Sequence, residues 1–207
     1  QPETYYYTDA ISDNAVRFLK DHEMSDAEKP FFLYLAYTTA HWPMHALPRD
    51  IKKYQGMYDG GFDSIRKARL KKLKALGLVS SDTRLSPGSD NWEKTPHKEW
   101  EIRNMETYAA MVDNMDQGLG RVIKELRKQD KFKDTLFLYR QDNGGCAEGY
   151  GRDAPKNGYR EYQPMEPDEL QKKIWPPMQT RDGRPLRVGP GVMAGPEDTF
   201  IGYGRGW

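Results

Sequence analysis

The feature that most constrains this sequence is an unbroken apolar and aromatic run at residues 31–37, FFLYLAY, which directly follows Lys29-Pro30. The run is too short for an ordinary helix, and it lacks the polar and apolar alternation that marks a strand with one exposed face. Continuous apolar runs of this length are typical of strands buried on both faces of a parallel sheet. The segment therefore predicts a parallel core strand, and with it an α/β fold.

Helical patterns lie on both sides of this run. Apolar residues recur every three or four positions from about residue 96 to 129, which predicts a long helix that faces the core. A shorter helix is predicted from about residue 8 to 22. Within the long helix, Gly118 and Gly120 either weaken the helix locally or allow close packing against a neighbour.

A second strand is predicted at residues 134–139, DTLFLY, which a short linker joins to the long helix. Strand, helix and strand then recur in the order of an α/β sheet. Residues 62–76 predict a further helix, rich in lysine and arginine, that Gly77 should end. We interpret its basic side as a solvated face, although such a helix could also contact phosphate. Residues 80–95 predict a surface loop.

Composition limits the partners of the chain. Its 207 residues are enough for one ordinary domain, and its formal net charge of +1 provides no global field to attract nucleic acid or an anionic membrane. No stretch approaches the roughly 18 to 20 apolar residues that a bilayer-spanning helix needs. The single cysteine, Cys146, excludes an intrachain disulfide and a cysteine-rich zinc site. We therefore expect neither nucleic acid nor a membrane as a partner.

Polar segments follow both predicted strands, at residues 38–45 (TTAHWPMH) and 141–145 (QDNGG). Because ligands of open α/β sheets bind beyond the carboxyl ends of strands, a functional site is expected there. His41 and His45 have the spacing of a zinc pair on a helix, but Pro43 disfavours a helix at this point. His41 is then either a structural histidine or a hydrogen-bond donor to an anionic oxygen.

Asp142 and Asn143 place a carboxylate beside an amide carbonyl, the hard oxygen donors that calcium and magnesium prefer. The alternative is an Asn-Gly turn between two strands, and the spacing leaves both possibilities open. Cys146 has no partner base that the sequence identifies. It is interpreted as a small loop residue rather than as a thiol nucleophile.

In their order and separation, these segments resemble the sulfatase family of the alkaline-phosphatase-like superfamily over about residues 4–207. The resemblance is carried by PFFLYLAY at 30–37, HWP at 41–43, YAAMVD at 108–113 and DNGG at 142–145. It implies an α/β fold with a mixed, mostly parallel sheet flanked by helices. It also implies that residues 1–207 are the central portion of a single sulfatase catalytic domain, truncated at both ends.

The resemblance implies an arylsulfatase-like hydrolase that cleaves sulfate esters of small molecules or carbohydrates. Members of this family use calcium and a formylglycine nucleophile, which is made from the cysteine of a Cys-x-Pro-Ser-Arg motif. That motif is absent from residues 1–207, and GCAE at 145–148 does not match it. The nucleophile and the remaining calcium ligands are therefore expected outside this chain.

The resemblance assigns roles to three residues of the chain. Asp142 and Asn143 correspond to calcium ligands, and His41 corresponds to the histidine that donates a hydrogen bond to the sulfate group, whereas His45 has no such counterpart. Relatives are mostly exported, so the periplasm or the cell exterior is expected. Two other functions stay open: a phosphatase or phosphodiesterase of the same superfamily, and a catalytically inactive anion-binding relative. The nucleophile motif would distinguish them.

Overall fold

The structure is a computed structural model, which describes residues 5–41, 44–88 and 91–141 together with the backbone of residues 187–188 and 199–200. Contacts divide the chain into two compact units, one of residues 1–41 and 110–145 and one of residues 42–109 and 146–207. The described helices are α1 (Tyr7–Asp26), α2 (Pro48–Ile51), α3 (Gly61–Ala75) and α4 (Lys98–Lys128), with three-residue 3₁₀ helices at Lys52–Tyr54, Trp92–Lys94 and Phe132–Asp134.

The core of the first unit lies where α1 meets the C-terminal part of α4. Ala15 and Leu19 of α1 form one apolar cluster with Val122 and Leu126 of α4, and each of the four is at most 3% exposed. In both helices the two residues are four positions apart, so they project from the same face. The prediction of a long helix at about residues 96–129 is confirmed.

α1 is longer than the sequence pattern predicts, because it continues beyond residue 22 to Asp26. Residues at the start of this added turn, and the one just before it, make tertiary contacts. The ring of His22 meets the ring of Phe31 edge-on, with 5.6 Å between their centroids, and the Glu23 carboxylate lies 2.5 Å from the ammonium group of Lys131. These contacts stabilise a turn that the apolar pattern alone does not indicate.

Charged groups join α1 to α4 nearer the start of α1. The Arg121 guanidinium lies 3.0 Å from the Asp9 carboxylate and 3.3 Å from that of Asp13. The Asn114 amide lies 3.4 Å from the same Asp9 oxygen. Because these charges are partly exposed, the ion pairs contribute about 1 kcal/mol or less. Their main effect is to hold the first turns of α1 against α4, beyond the reach of the apolar cluster.

Residues 31–37 lie on this core with alternate side chains. Phe31, Leu33 and Leu35 pack against the apolar cluster, while Phe32 and Tyr34 between them are 93% and 76% exposed. This alternation is that of an extended chain with one packed face. Within this chain one face of the segment is covered, and burial of the other face stays a prediction. Within the described ranges, the helices cover only one face of the segment, and no strand pairs with it.

The segment predicted as a second core strand is also uncovered. Residues 135–141 take neither helix nor strand hydrogen bonding to any described residue, and Leu136 and Leu138 are 82% and 85% exposed. Phe137 keeps a ring contact with Phe132, at 5.5 Å between centroids. An apolar run predicts that a segment packs against another element, but it does not indicate which element that is. The mixed, mostly parallel sheet therefore stays a prediction.

The strands that the structure does describe are short. β1 (Arg187–Val188) and β2 (Thr199–Phe200) form a parallel pair, with Arg187 opposite Thr199 and Val188 opposite Phe200. Among the helices of the described ranges, none combines the length and the apolar character that a membrane span requires.

The second unit buries large aromatic side chains. Trp100, in the first turn of α4, is 1% exposed, and the ring of Phe62 meets that of Trp92 edge-on with 4.9 Å between centroids. Gly61 has a φ of +74°, and a Cβ added to it would lie 2.2 Å from the Trp92 ring, so only glycine permits this approach. Among the residues of this unit whose burial the structure describes, the other buried apolar ones are Met44, Ala46, Ile51 and Tyr58.

α3 and its end agree with the sequence pattern. Gly77 adopts a φ of +68°, and the Leu78 amide donates to the Leu73 carbonyl at 3.0 Å, which is the arrangement that ends helices at glycine. The side chains of Lys67 and Lys71 are exposed, as expected for a solvated basic face. The predicted loop at 80–95 is irregular in its described part, apart from the single 3₁₀ turn at Trp92–Lys94.

A buried tyrosine should make the second unit sensitive to high pH. Burial raises the pKa of the Tyr58 phenol above its ordinary value of 10.0, and Tyr54 and Glu106 act in the same direction against the opposing Arg69. The folded chain therefore keeps the Tyr58 proton to a higher pH than the unfolded chain. This contribution to stability is complete below pH 10.0 and is lost as the pH rises through the raised pKa.

We expect Tyr58→Phe, which cannot ionise, to lose less stability at alkaline pH than the wild-type chain. The measurement is the free energy of unfolding from urea titrations between about pH 8 and pH 11. Tyr139→Phe, which removes an exposed phenol, serves as the matched control. Equal alkaline losses in the wild-type chain and in Tyr58→Phe would contradict this role of Tyr58.

Candidate functional site

His41 lies in a tight turn that follows the extended residues 31–37. Its backbone amide donates to the carbonyl of Thr38 at 2.9 Å, and the peptide bond between Thr39 and Ala40 is cis. His41 is exposed, so a ligand can approach this turn from solvent. The two residues that follow, Trp42 and Pro43, lie outside the described ranges.

Two pairs of hydroxyl groups attach this turn to α1. The hydroxyl oxygens of Ser12 and Tyr37 are 2.9 Å apart, and those of Thr8 and Thr39 are also 2.9 Å apart. Ser12 donates its own proton to the Thr8 carbonyl at 3.0 Å, so Tyr37 donates to Ser12. Thr8 is 3% exposed and Ser12 is 0% exposed, which keeps water from competing for these bonds.

Gly118 of α4 makes room for this network. A Cβ at position 118 would lie 2.1 Å from the Ser12 hydroxyl oxygen and 3.3 Å from that of Tyr37. Among the residues that the structure describes, no heavy atom outside the neighbouring helix backbone lies within 4 Å of a Cβ added at Gly120. Of the two roles that the sequence allowed for these glycines, close packing is therefore correct for Gly118, whereas Gly120 makes no such approach to a described residue.

The residues of this network were not singled out from the sequence, although one signal could have found them. Thr8 and Ser12 continue the buried stripe of Ala15 and Leu19 toward the start of α1, at spacings of four and three residues. Small polar residues on a core-facing stripe must be hydrogen-bonded when buried. The stripe thus indicated that polar partners would be found opposite the first turns of α1.

Of the other residues that the sequence singled out for the site, the structure describes only His45. His45 belongs to the second unit and is partly buried. In the parts of the chain that the structure describes, no group of three or more His, Cys, Asp or Glu side chains could hold a metal ion. Asp142, Asn143 and Cys146 lie beyond the described residues, so the calcium pair and the loop position of the cysteine stay predictions.

Comparison with known proteins identifies the family. Residues 1–170 of the 207 match the family model described as Sulfatase. The chain belongs to the sulfatase family. This sulfatase-family chain is 36% identical over 153 residues to an uncharacterized sulfatase of Schizosaccharomyces pombe, covering 71% of the chain and 27% of the relative. It is 32% identical over 147 residues to an arylsulfatase of Klebsiella aerogenes, covering 69% of the chain and 31% of the relative.

The sulfatase-family chain also has similarity to a solved structure. It is 25% identical to Ps i-CgsB, whose crystal structure was determined in complex with k-i-k-neocarrahexaose, with 63% of the chain and 19% of that protein covered. The TM-score of 0.37 is too low to define the fold. The chain spans between a quarter and a third of the length of the two curated relatives it matches.

Proposed function

We propose that this chain is the central portion of a sulfatase catalytic domain, and that the complete domain hydrolyses sulfate esters. The observation that carries the proposal is the family match over residues 1–170. The 32% identity to the Klebsiella aerogenes arylsulfatase supports an activity on aryl sulfates in particular. Because the chain spans 27% and 31% of its curated relatives, the rest of the site would come from other parts of the domain.

His41 would hold the sulfate group of the ester. An exposed imidazole can donate a hydrogen bond to a sulfate oxygen, and a donor fixed in position stabilises charge that develops there during cleavage. The exposure of His41 and the hydrogen-bonded turn that contains it support this role. His45 has no assigned role, and it provides a matched comparison on the same stretch of chain.

Asp142 and Asn143 would bind calcium. One carboxylate and one amide carbonyl are donors of the chemical type that calcium prefers, and they would supply two of its six to eight oxygen ligands. When bound, calcium would offset the negative charge of the sulfate oxygens. The other ligands would come from outside residues 1–207.

The nucleophile would also come from outside this chain. A formylglycine is made from a Cys-x-Pro-Ser-Arg motif, and no such motif occurs in the 207 residues. Cys146 stands in a different sequence context and is not proposed as the nucleophile. The substrate is proposed to be a sulfate ester of a small molecule or a carbohydrate.

The experiment is a comparison of hydrolysis by the complete catalytic domain with p-nitrophenyl sulfate and p-nitrophenyl phosphate. We expect calcium-dependent turnover of the sulfate ester and at least a hundredfold lower kcat/KM for the phosphate ester, about 3 kcal/mol in transition-state binding. Residues 1–207 alone should turn over neither ester, because the nucleophile is missing. Preference for phosphate would favour the phosphatase, and binding of sulfate without turnover would favour the inactive relative.

A further inference from the structure

We propose that the start of α1 positions His41, through a network that we call the hydroxyl anchor. The hydroxyl anchor consists of Thr8, Ser12, Tyr37 and Thr39. The inference rests on the proposed function, because it concerns the donor that would contact the sulfate group. None of the four residues needs to touch the substrate, so they are positioning residues rather than catalytic ones.

The first argument is the geometry of attachment. Thr8 and Ser12 are four residues apart on one face of α1, whereas Tyr37 ends the extended segment and Thr39 lies in the turn that follows it. The four hydroxyl groups meet in two pairs, each with an oxygen separation of 2.9 Å. Two bonds at separate points prevent the segment from sliding along α1 and from rotating about its own axis.

The second argument is the short path from the anchor to His41. Thr39 is two residues before His41, and the turn between them is closed by the bond from the His41 amide to the Thr38 carbonyl. Thr38 itself lies between the two anchored residues. A displacement of Tyr37 or Thr39 would therefore be transmitted to the imidazole through a single turn of backbone.

The third argument is that α4 supports the anchor from behind. Gly118 brings the α4 backbone so close that any Cβ there would displace the Ser12 hydroxyl, 2.1 Å away, and break its bond with Tyr37. The ion pairs of Arg121 with Asp9 and Asp13 hold the same turns of α1 on α4. The anchor is thus attached to the core of the first unit and not to a mobile helix end.

A purely structural role of these hydroxyl groups is the alternative, and a double-mutant cycle in the complete catalytic domain distinguishes the two. Tyr37→Phe removes one hydroxyl group and should lower kcat/KM for p-nitrophenyl sulfate about tenfold, since small displacements of a positioned group cost this much or more. In a His41→Ala background, the same Tyr37→Phe change should have almost no further effect. Tyr34→Phe, an exposed tyrosine on the same segment, is the matched control and should leave kcat/KM unchanged.

A second pair of variants tests the other end of the anchor. Thr39→Val keeps the shape of the side chain without its hydroxyl group, whereas Thr39→Ser keeps the hydroxyl group. We expect an approximately tenfold loss of kcat/KM in Thr39→Val and near wild-type activity in Thr39→Ser. Thermal midpoints measured in parallel confirm that each variant is folded at the assay temperature.

The outcomes separate the anchor from the proposed function. If His41→Ala leaves turnover unchanged, the role of His41 is wrong, and the positioning proposal fails with it. If His41→Ala lowers turnover but Tyr37→Phe lowers it by the same factor with and without His41, the anchor acts independently of His41 and only the positioning proposal is overturned. Equal activities of Thr39→Val and Thr39→Ser would overturn it as well.

Discussion

Replacing Asp142 with alanine in the complete catalytic domain is expected to lower kcat for an aryl sulfate roughly a thousandfold, or by about 4 kcal/mol. Asp142 is the one charged ligand that this chain is proposed to give to calcium. Its loss weakens calcium binding and also leaves the other ligands without their charge balance. Asp142→Asn keeps one oxygen donor in the same place, so excess calcium should restore part of its activity.

Turnover measured across a calcium titration, together with calcium binding by calorimetry, tests this prediction. The expected pattern is a large loss of affinity in Asp142→Ala and a smaller loss in Asp142→Asn. Wild-type affinity and wild-type turnover in Asp142→Ala would remove Asp142 from the proposed calcium site. The test does not depend on His41, so each role can fail alone.

His41→Ala is expected to lower kcat roughly a hundredfold, or by about 3 kcal/mol, which is the usual cost of removing one preorganised donor from a developing oxyanion. The calcium ligands are untouched by this change, so excess calcium should not restore activity. The measurement is kcat for p-nitrophenyl sulfate at saturating calcium, compared with calcium affinity in the same variant.

His45→Ala is the matched control for this prediction, because it removes an identical side chain four residues away. We expect its turnover to stay within about twofold of wild type, since His45 has no proposed contact with the sulfate group or with calcium. Rescue of His41→Ala by calcium, or a larger loss in His45→Ala than in His41→Ala, would show that the two histidines have been assigned incorrectly.

The helices could be predicted from the sequence because their signal is periodic. The apolar stripe of α4 predicts its limits to within two residues, with 96–129 expected and Lys98–Lys128 observed. The end of α1 was missed by one turn, because contacts with Phe31 and Lys131 extend it and periodicity does not report them. Helix limits are therefore predictable where burial sets them and less so where single contacts do.

The apolar segments show the opposite case. In residues 31–37 every side chain is apolar or aromatic, so the sequence contains no alternation from which one packed face could be inferred. The structure nevertheless packs the partly buried Phe31, Leu33 and Leu35 against the core and exposes Phe32 and Tyr34. Composition indicates that both sides of such a segment are apolar or aromatic, while the packing of neighbouring elements determines which side is covered.

The candidate site, too, could be predicted from the sequence only in part. His41 could be selected because a polar segment after an apolar run stands out in a sequence. The hydroxyl anchor could not be selected in this way, because serine, threonine and tyrosine are common. Their pairing also depends on how two segments some 25 to 31 residues apart align with each other. The sequence alone does not predict that alignment.

The close approach at Gly118 has a consequence for any attempt to make this protein more heat-resistant. Alanine is the better helix former by about 1 kcal/mol, so a glycine inside a long helix is an obvious position to replace. At position 118 the new methyl group would stand 2.1 Å from the Ser12 hydroxyl oxygen. Gly118 lowers the intrinsic stability of α4 but leaves room for the Ser12 hydroxyl group. Replacing Gly118 with alanine would therefore stabilise α4 as a helix and at the same time disturb the turn that carries His41.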